Sequence, residues 1–260
     1  MDLNLKNKIA LITGASKGIG AAIAETFAAE GVNLYLTARN KKQLEMLKIE
    51  LQKKYSVEVK TIPLDLTEAD SQKLLFENCK DINILINNAG DIPSGSLFDI
   101  DEDSWRKGWE LKVFGYINLC RGFYPIIKKN GGGVIINNIG NGGEIYDPFY
   151  IAGATGNSSL MSFTKALGSN SLEDNIRVIG VNPGPVETER IYKILKNRSL
   201  KLFGDENHVD ELLKRYPLGR PAHVREISDL IAFLVSEKSG YTSGTVFTVD
   251  GGISARSSII

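Results

Sequence analysis

Eight residues near the N-terminus, Thr13-Gly14-Ala15-Ser16-Lys17-Gly18-Ile19-Gly20, have a composition suited to holding an anion. Glycines let a backbone turn tightly and approach a ligand closely. Where such a turn opens a helix, the first helical amides point at negative charge. Residues 8–13 are apolar and read as a strand, and a helical pattern runs from the turn to about residue 30. Strand, glycine turn and helix in that order form a phosphate site, here spaced G-x-x-x-G-x-G rather than G-x-G-x-x-G. Two cations refine the ligand. Lys17 lies inside the turn, and Arg39 follows the second apolar run, close to where a dinucleotide ribose would sit. A site for a free 2′-hydroxyl usually places Asp or Glu there. Thr37-Ala38-Arg39 has no acid, so a 2′-phosphate is expected, with NADP(H) preferred and NAD(H) possible.

A second group of residues lies on one helical face. Residues 102–129 read as a helix, and Trp105, Trp109, Lys112 and Tyr116 follow at spacings of four, three and four. Lys112 therefore interrupts an apolar stripe. A buried lysine is costly unless paired, which favours a functional role. The plainer alternative is a lysine that snorkels to water from the edge of the stripe.

The elements that must position these groups alternate along the chain. Apolar runs at 8–13, 32–37, 57–62, 82–86, 134–136, 177–181 and 245–249 read as strands, with helical segments between them. Near-continuous apolar strands are buried on both faces. The pattern predicts an α/β fold: a single Rossmann-type, doubly wound parallel sheet of about seven strands with helices on both faces. One domain is expected over residues 1–260, without internal repeats or linkers. Residues 187–220 depart from the alternation, being long, charged and poorly periodic until Leu212. They read equally as a flap over a site or as a helical insertion on the surface.

Composition excludes several classes. The chain has 260 residues, and 31 Lys and Arg balance 31 Asp and Glu. A net charge of zero argues against nucleic acid as a partner. Cys79 and Cys120 are too few for a disulfide framework, and His208 and His223 have no metal-ligand spacing, so no metal is expected. No leader pattern and no apolar run of membrane-spanning length is present, so no membrane partner is expected. The expectation is a soluble cytoplasmic protein, full length from Met1, acting on a small-molecule substrate.

Four motifs in order give the chain a resemblance to the short-chain dehydrogenase/reductase family over about residues 5–252. They are the glycine turn, Asn87-Asn88-Ala89-Gly90 after the fourth strand, Val181-Asn182-Pro183-Gly184-Pro185-Val186 followed by Thr188, and Val249-Asp250-Gly251-Gly252. Asp65, with Leu66 beside it, resembles the acid that the family places near the adenine. The resemblance implies hydride transfer between a nicotinamide and an alcohol or carbonyl, often by a homotetramer. It also implies cofactor contacts from Gly14, Ser16, Lys17, Gly18, Ile19, Gly20, Arg39, Asp65, Leu66, Asn88, Ala89, Gly90, Pro183, Gly184, Val186 and Thr188, with Tyr150 near the nicotinamide. Apolar helices at 102–129 and 150–172 fit a homo-oligomer, tetramer or dimer.

The catalytic residues depart from the family pattern of Asn, Ser, Tyr and Lys. Tyr150 matches the tyrosine, yet four residues later the chain has Ala154, not Lys. The serine's place falls near Gly140, where Asn138 and Asn141 offer amides to a carbonyl oxygen instead. Lys112 takes the place of the family's Asn, and the expectation is that its long stem replaces the missing lysine and stabilises the Tyr150 phenolate. Asn157, Ser158 and Ser159 read mainly as packing residues. Glu144, Tyr146, Glu187, Glu189, Arg190 and Tyr192 are further pocket candidates, and Arg190 facing the site would suit a carboxylate-bearing substrate. The leading expectation is an NADPH-preferring carbonyl reductase or alcohol dehydrogenase. The alternative is a catalytically reduced or inactive nucleotide-binding protein, a sensor or structural partner on the same fold. A lyase or dehalogenase conflicts with the glycine turn.

Overall fold

The computed structural model describes residues 1–256. Seven parallel strands form one sheet in the order β3-β2-β1-β4-β5-β6-β7. They are β1 (Ile9–Thr13), β2 (Asn33–Ala38), β3 (Val59–Pro63), β4 (Ile84–Asn87), β5 (Gly133–Asn138), β6 (Ile176–Pro183) and β7 (Thr245–Val249). Parallel strands need crossovers, and the helices that supply them cover both faces. Helices α1 (Gly18–Ala29), α2 (Lys41–Lys54) and α9 (Val224–Val235) pack Phe27, Leu44, Leu51 and Ile231 against one face. The other face takes Leu75 of α3 (Ala69–Asn78), Phe123 and Ile127 of α5 (Gly115–Lys129), and Phe163 and Leu167 of α6 (Ile151–Gly168).

All seven expected strands are present, and β5 and β6 run further than their apolar runs. Asn137 and Asn138 extend β5, and Asn182 and Pro183 extend β6. The polar residues are accommodated by hydrogen bonds. Asn87 Nδ2 donates to Asn137 Oδ1 at 2.9 Å, and Asn137 Nδ2 donates to Thr164 Oγ1 at 2.9 Å. Apolar periodicity stops where such side chains begin, but the backbone ladder continues.

The helix expected over 102–129 is present but not α-helical throughout. It comprises α4 (Glu102–Trp109), a π-helical turn over Glu110–Phe114, and α5. The wider turn contains Lys112, and π turns recur at functional sites. Residues 187–220 hold α7 (Glu189–Phe203) and α8 (Val209–Leu213), so the region is largely helical. Its weak periodicity has a simple cause: only Leu195 and Ser199 of α7 are buried, so most of the helix needs no apolar face. No helix among the described residues is long and apolar enough to cross a membrane.

The direction of winding reverses between β1 and β4, which are neighbours in the sheet but distant in sequence. A crevice opens at the carboxyl ends of strands at such a point, and ligands of doubly wound sheets bind there.

Candidate active site

The glycine turn lies at the carboxyl end of β1 and is fixed to the end of β4. Thr13 Oγ1 donates to the Ile86 carbonyl at 3.2 Å and accepts the amides of Asn88 and Ala89 at 2.9 and 3.0 Å. Asn88 Nδ2 donates to the carbonyls of Thr13 and Gly14 at 3.0 and 3.3 Å. Gly14 and Gly18 have φ of +63° and +58°, in the left-handed region that favours glycine. A β-carbon on Gly20 would collide with the Gly14 carbonyl and stand 2.6 Å from Asn88 Nδ2. The turn is therefore a side-chain-free cradle at the N-terminus of α1, with Ser16, Lys17 and Ile19 around it. This geometry fits the pyrophosphate of a dinucleotide.

Other expected cofactor residues surround the same strand ends. Thr188 lies against the turn: a β-carbon on Gly18 would be 3.2 Å from its Cγ2, and its hydroxyl donates to the Val186 carbonyl at 3.2 Å. Gly184 follows Pro183 and packs on Asp250, where a β-carbon would be 2.6 Å from the Asp250 Cβ. Asp65 accepts from the amide and hydroxyl of Thr67 at 3.0 and 2.8 Å. Burial opposes ionisation of Asp65, but these bonds and the Arg39 charge hold its pKa below the ordinary value. Leu66 is buried in the second core cluster. Lys17 pairs with Glu189 at 2.8 Å, and Arg39 approaches Asp91 at 4.0 Å. Both pairs are solvent-exposed, so each is weak and open to exchange for a phosphate.

Tyr150 immediately precedes α6, and its ring folds back over the helix. A β-carbon at Gly153 would fall on the Tyr150 Cζ, so glycine there makes room for the ring. Burial raises the Tyr150 pKa, and the nearby Arg190 guanidinium opposes that shift by charge and hydrogen bonding. Arg190 spans the crevice, with Nη1 and Nη2 donating to the carbonyls of Gly90 and Ile92 at 3.4 and 3.3 Å. Lys112 donates to the Ile139 carbonyl. Its stem runs past Gly90, where a β-carbon would be 2.8 Å from Lys112 Cδ. Burial and the Arg190 charge push the Lys112 ammonium down to about 7. Neither Lys112 nor Arg190 has a carboxylate within ion-pair distance among the described residues.

Several expected placements need correction. The cation beside the Tyr150 hydroxyl is Arg190; the Lys112 ammonium is directed to Ile139. Counting four residues from Tyr150 to Ala154 selects the wrong helix position, because Tyr150 lies outside the helix with φ of −136°. The position one turn beyond Gly153 is Asn157, which meets the loop after β5. Neither expected amide is uncommitted: Asn138 Nδ2 donates to Asn88 Oδ1 at 2.8 Å, and Asn141 Nδ2 donates to Asp250 at 3.2 Å. Glu144 accepts from Asn182 and Thr248 at 2.9 and 2.6 Å, and Glu187 accepts from Tyr192 at 3.2 Å and contacts His223 at 2.8 Å. Tyr146 is fully exposed. Ser158 and Ser159 donate to the carbonyls of Gly143 and Gly156, each at 2.8 Å, as packing residues do.

The chain is similar to known proteins over almost its whole length. A family profile described as enoyl-(acyl carrier protein) reductase matches residues 14–254. Dehydrogenase/reductase SDR family member 4 of Caenorhabditis elegans is 31% identical over 258 residues, covering 96% of each chain. Oxidoreductase UcpA of Escherichia coli K12 is 32% identical over 254 residues, covering 95% of each. Among solved structures, L-sorbose reductase of Gluconobacter frateurii, complexed with NADPH and L-sorbose, superposes with a TM-score of 0.91 at 32% identity. That match covers 97% of this chain and 98% of the other. A 7α-hydroxysteroid dehydrogenase complexed with NADH and 7-oxo glycochenodeoxycholic acid gives 0.87 at 27% identity, covering 96% of each chain.

The Arg190 contact yields a signed expectation. Arg190→Met removes the charge that opposes burial, so the Tyr150 pKa rises further. The ascending, acid-side limb of the pH–rate profile for alcohol oxidation, where the phenolate forms, should move to higher pH. An unmoved limb would remove Arg190 from the tuning of Tyr150.

Proposed function

This chain belongs to the short-chain dehydrogenase/reductase family, and from that premise we propose that it moves a hydride between NADP(H) and a small-molecule alcohol or carbonyl. The observation that carries the reading is the Tyr150 hydroxyl beside Arg190, which bridges to Gly90 next to the glycine cradle. A proton-transfer group and a dinucleotide cradle thus share one crevice. When bound, the nicotinamide supplies or accepts the hydride.

The chain's own residues do the rest. Gly14, Ser16, Gly18, Ile19 and Gly20 cradle the pyrophosphate, while Asn88, Ala89 and Gly90 form the wall opposite. Asp65 and Leu66 serve the adenine end. Pro183, Gly184, Val186 and Thr188 border the nicotinamide end. Tyr150 gives its hydroxyl proton to the carbonyl oxygen in reduction and takes it back in oxidation. A phenol with a raised pKa is a good acid reservoir but a weak base, so the phenolate needs nearby positive charge. Arg190 supplies it directly. Lys112 braces the loop after β5 through the Ile139 carbonyl. Lys17 and Arg39 are the groups for a 2′-phosphate, with Glu189 and Asp91 released when it binds.

A second reading draws on the absence of a side chain at Gly140 and on Ala154 in place of the family's lysine. The chain would then bind the dinucleotide without turning it over, as a sensor. Homo-oligomerisation, as a dimer or tetramer, is supported by Phe114 and Leu172, large apolar side chains turned outward beside α5 and α6. A monomer in sedimentation equilibrium would remove that part of the proposal.

Two experiments test the rest. Titration with NADPH and NADH, read by energy transfer from Trp105 and Trp109, should favour NADPH. Lys17→Ala with Arg39→Ala should narrow the preference about tenfold or more, as expected for two charge-assisted contacts. An unchanged ratio refutes the 2′-phosphate assignment. Tyr150→Phe should abolish reduction of aldehydes and ketones yet leave NADPH affinity within about twofold, because it deletes one proton donor. Persistent turnover in Tyr150→Phe would assign the proton to another group. Binding without turnover in the parent would select the sensor.

A further inference from the structure

Asn157 is 2% exposed; its Oδ1 is buried without a hydrogen-bond partner, and its Nδ2, the atom that can donate, makes no hydrogen bond among the described residues. Its neighbours on α6 differ: Ser158, Ser159 and Thr164 all donate to main-chain carbonyls, at 2.8, 2.8 and 2.7 Å. Burying an amide without partners costs about 1–3 kcal/mol, and an apolar side chain of the same shape would avoid it. Packing alone therefore does not account for this residue.

The amide has a definite target. A β-carbon on Gly140 would stand 3.3 Å from Asn157 Nδ2. One on Gly142 would stand 3.3 Å from the same nitrogen and 3.0 Å from Cε1 of Tyr150. Gly140 and Gly142 thus face the Asn157 amide, and Gly142 also faces the edge of the Tyr150 ring. On the strand side, Lys112 is bound to the Ile139 carbonyl, one residue before Gly140. The amides of Asn138 and Asn141 are already engaged by Asn88 and Asp250.

We propose that Asn157 is a catalytic residue whose Nδ2–H donates to the substrate's carbonyl oxygen alongside the Tyr150 hydroxyl. The inference rests on the hydride-transfer reading above. A carbonyl oxygen has two lone pairs, and the two donors take one each. As hydride adds to carbon, the C=O π pair moves to oxygen, and the Tyr150 O–H proton forms the new O–H bond. Asn157 gives up no proton; it stabilises the negative charge that grows on oxygen before that transfer. The amide is already desolvated in the folded protein, so little reorganisation accompanies the reaction.

The test uses the full chain and a panel of aldehydes and ketones, including L-sorbose and butane-2,3-dione. Asn157→Leu keeps the volume and removes the donor. Its kcat/KM should fall about 10²–10³-fold, the usual cost of losing one oxyanion donor. NADPH affinity, read by fluorescence, should stay within about twofold, as expected when only a substrate contact is lost. Asn157→Asp is isosteric and guards against a folding defect. Its rate should be low at alkaline pH and recover on acidification, as the carboxyl regains a proton to donate. A Leu variant within threefold of the parent, or an Asp variant without acid recovery, would overturn the proposal. So would a parallel loss of NADPH affinity, which would place the amide on the cofactor. A parent that binds NADPH but reduces no carbonyl would instead bring down the hydride-transfer reading, and this inference with it.

Discussion

The Thr13 hydroxyl and the Asn88 amide hold the glycine turn against the end of β4, and the rest of the crevice is built from that joint. Thr13 is fully buried, and its oxygen both donates to β4 and accepts two of its amides. Each such bond is worth about 1 kcal/mol net, but an orphaned buried amide costs more than the bond returns. The turn therefore cannot relax without leaving several main-chain groups unpaired. That rigidity keeps the α1 amides directed at one place. Gly14 and Gly20 are required by the same joint, since a side chain at either would wedge the turn away from Asn88 and Ala89.

Charge is distributed unevenly across the crevice. The cations beside the glycine turn and the end of β2, Lys17 and Arg39, face exposed acids and exchange readily with water and ions. At the other end, Lys112 and Arg190 spend their hydrogen bonds on the main-chain carbonyls of Ile139, Gly90 and Ile92. Carbonyl dipoles hold a cation in place without cancelling its charge. The Arg190 charge is therefore available to Tyr150, whose burial would otherwise keep its proton on. The π turn at Glu110–Phe114 contributes to this arrangement by carrying Lys112 between two regular helices.

Much of the fold was legible in the sequence because its signals are local. Seven apolar runs mark seven strands, and the glycine turn is a single contiguous motif whose geometry follows from its neighbours. Most residues expected to hold a cofactor lie immediately after a strand, so their gathering at one end of the sheet was legible for the same reason. Helix periodicity also placed Trp109, Lys112 and Tyr116 correctly on one side. Trp109 donates to the Ala152 carbonyl at 2.9 Å, and the Tyr116 hydroxyl donates to the Asn138 carbonyl at 2.9 Å. It missed the π turn, because one extra residue in a turn leaves no mark on an apolar pattern.

The chemistry around Tyr150 was decided only by tertiary structure. A count of four residues holds inside a helix, where 3.6 residues make a turn, and Tyr150 stands just outside one. Its ring reaches forward over Gly153, so the next site-facing position is Asn157 and not Ala154. Arg190 comes from the start of α7, forty residues along the chain, and no spacing rule links it to Tyr150. The sequence by itself determined a doubly wound sheet with a cradle for a phosphate, because strand burial and backbone turning depend on residues close in the chain. Only the folded chain decided which cation meets the tyrosine, because that contact depends on where separate elements end and how their ends converge.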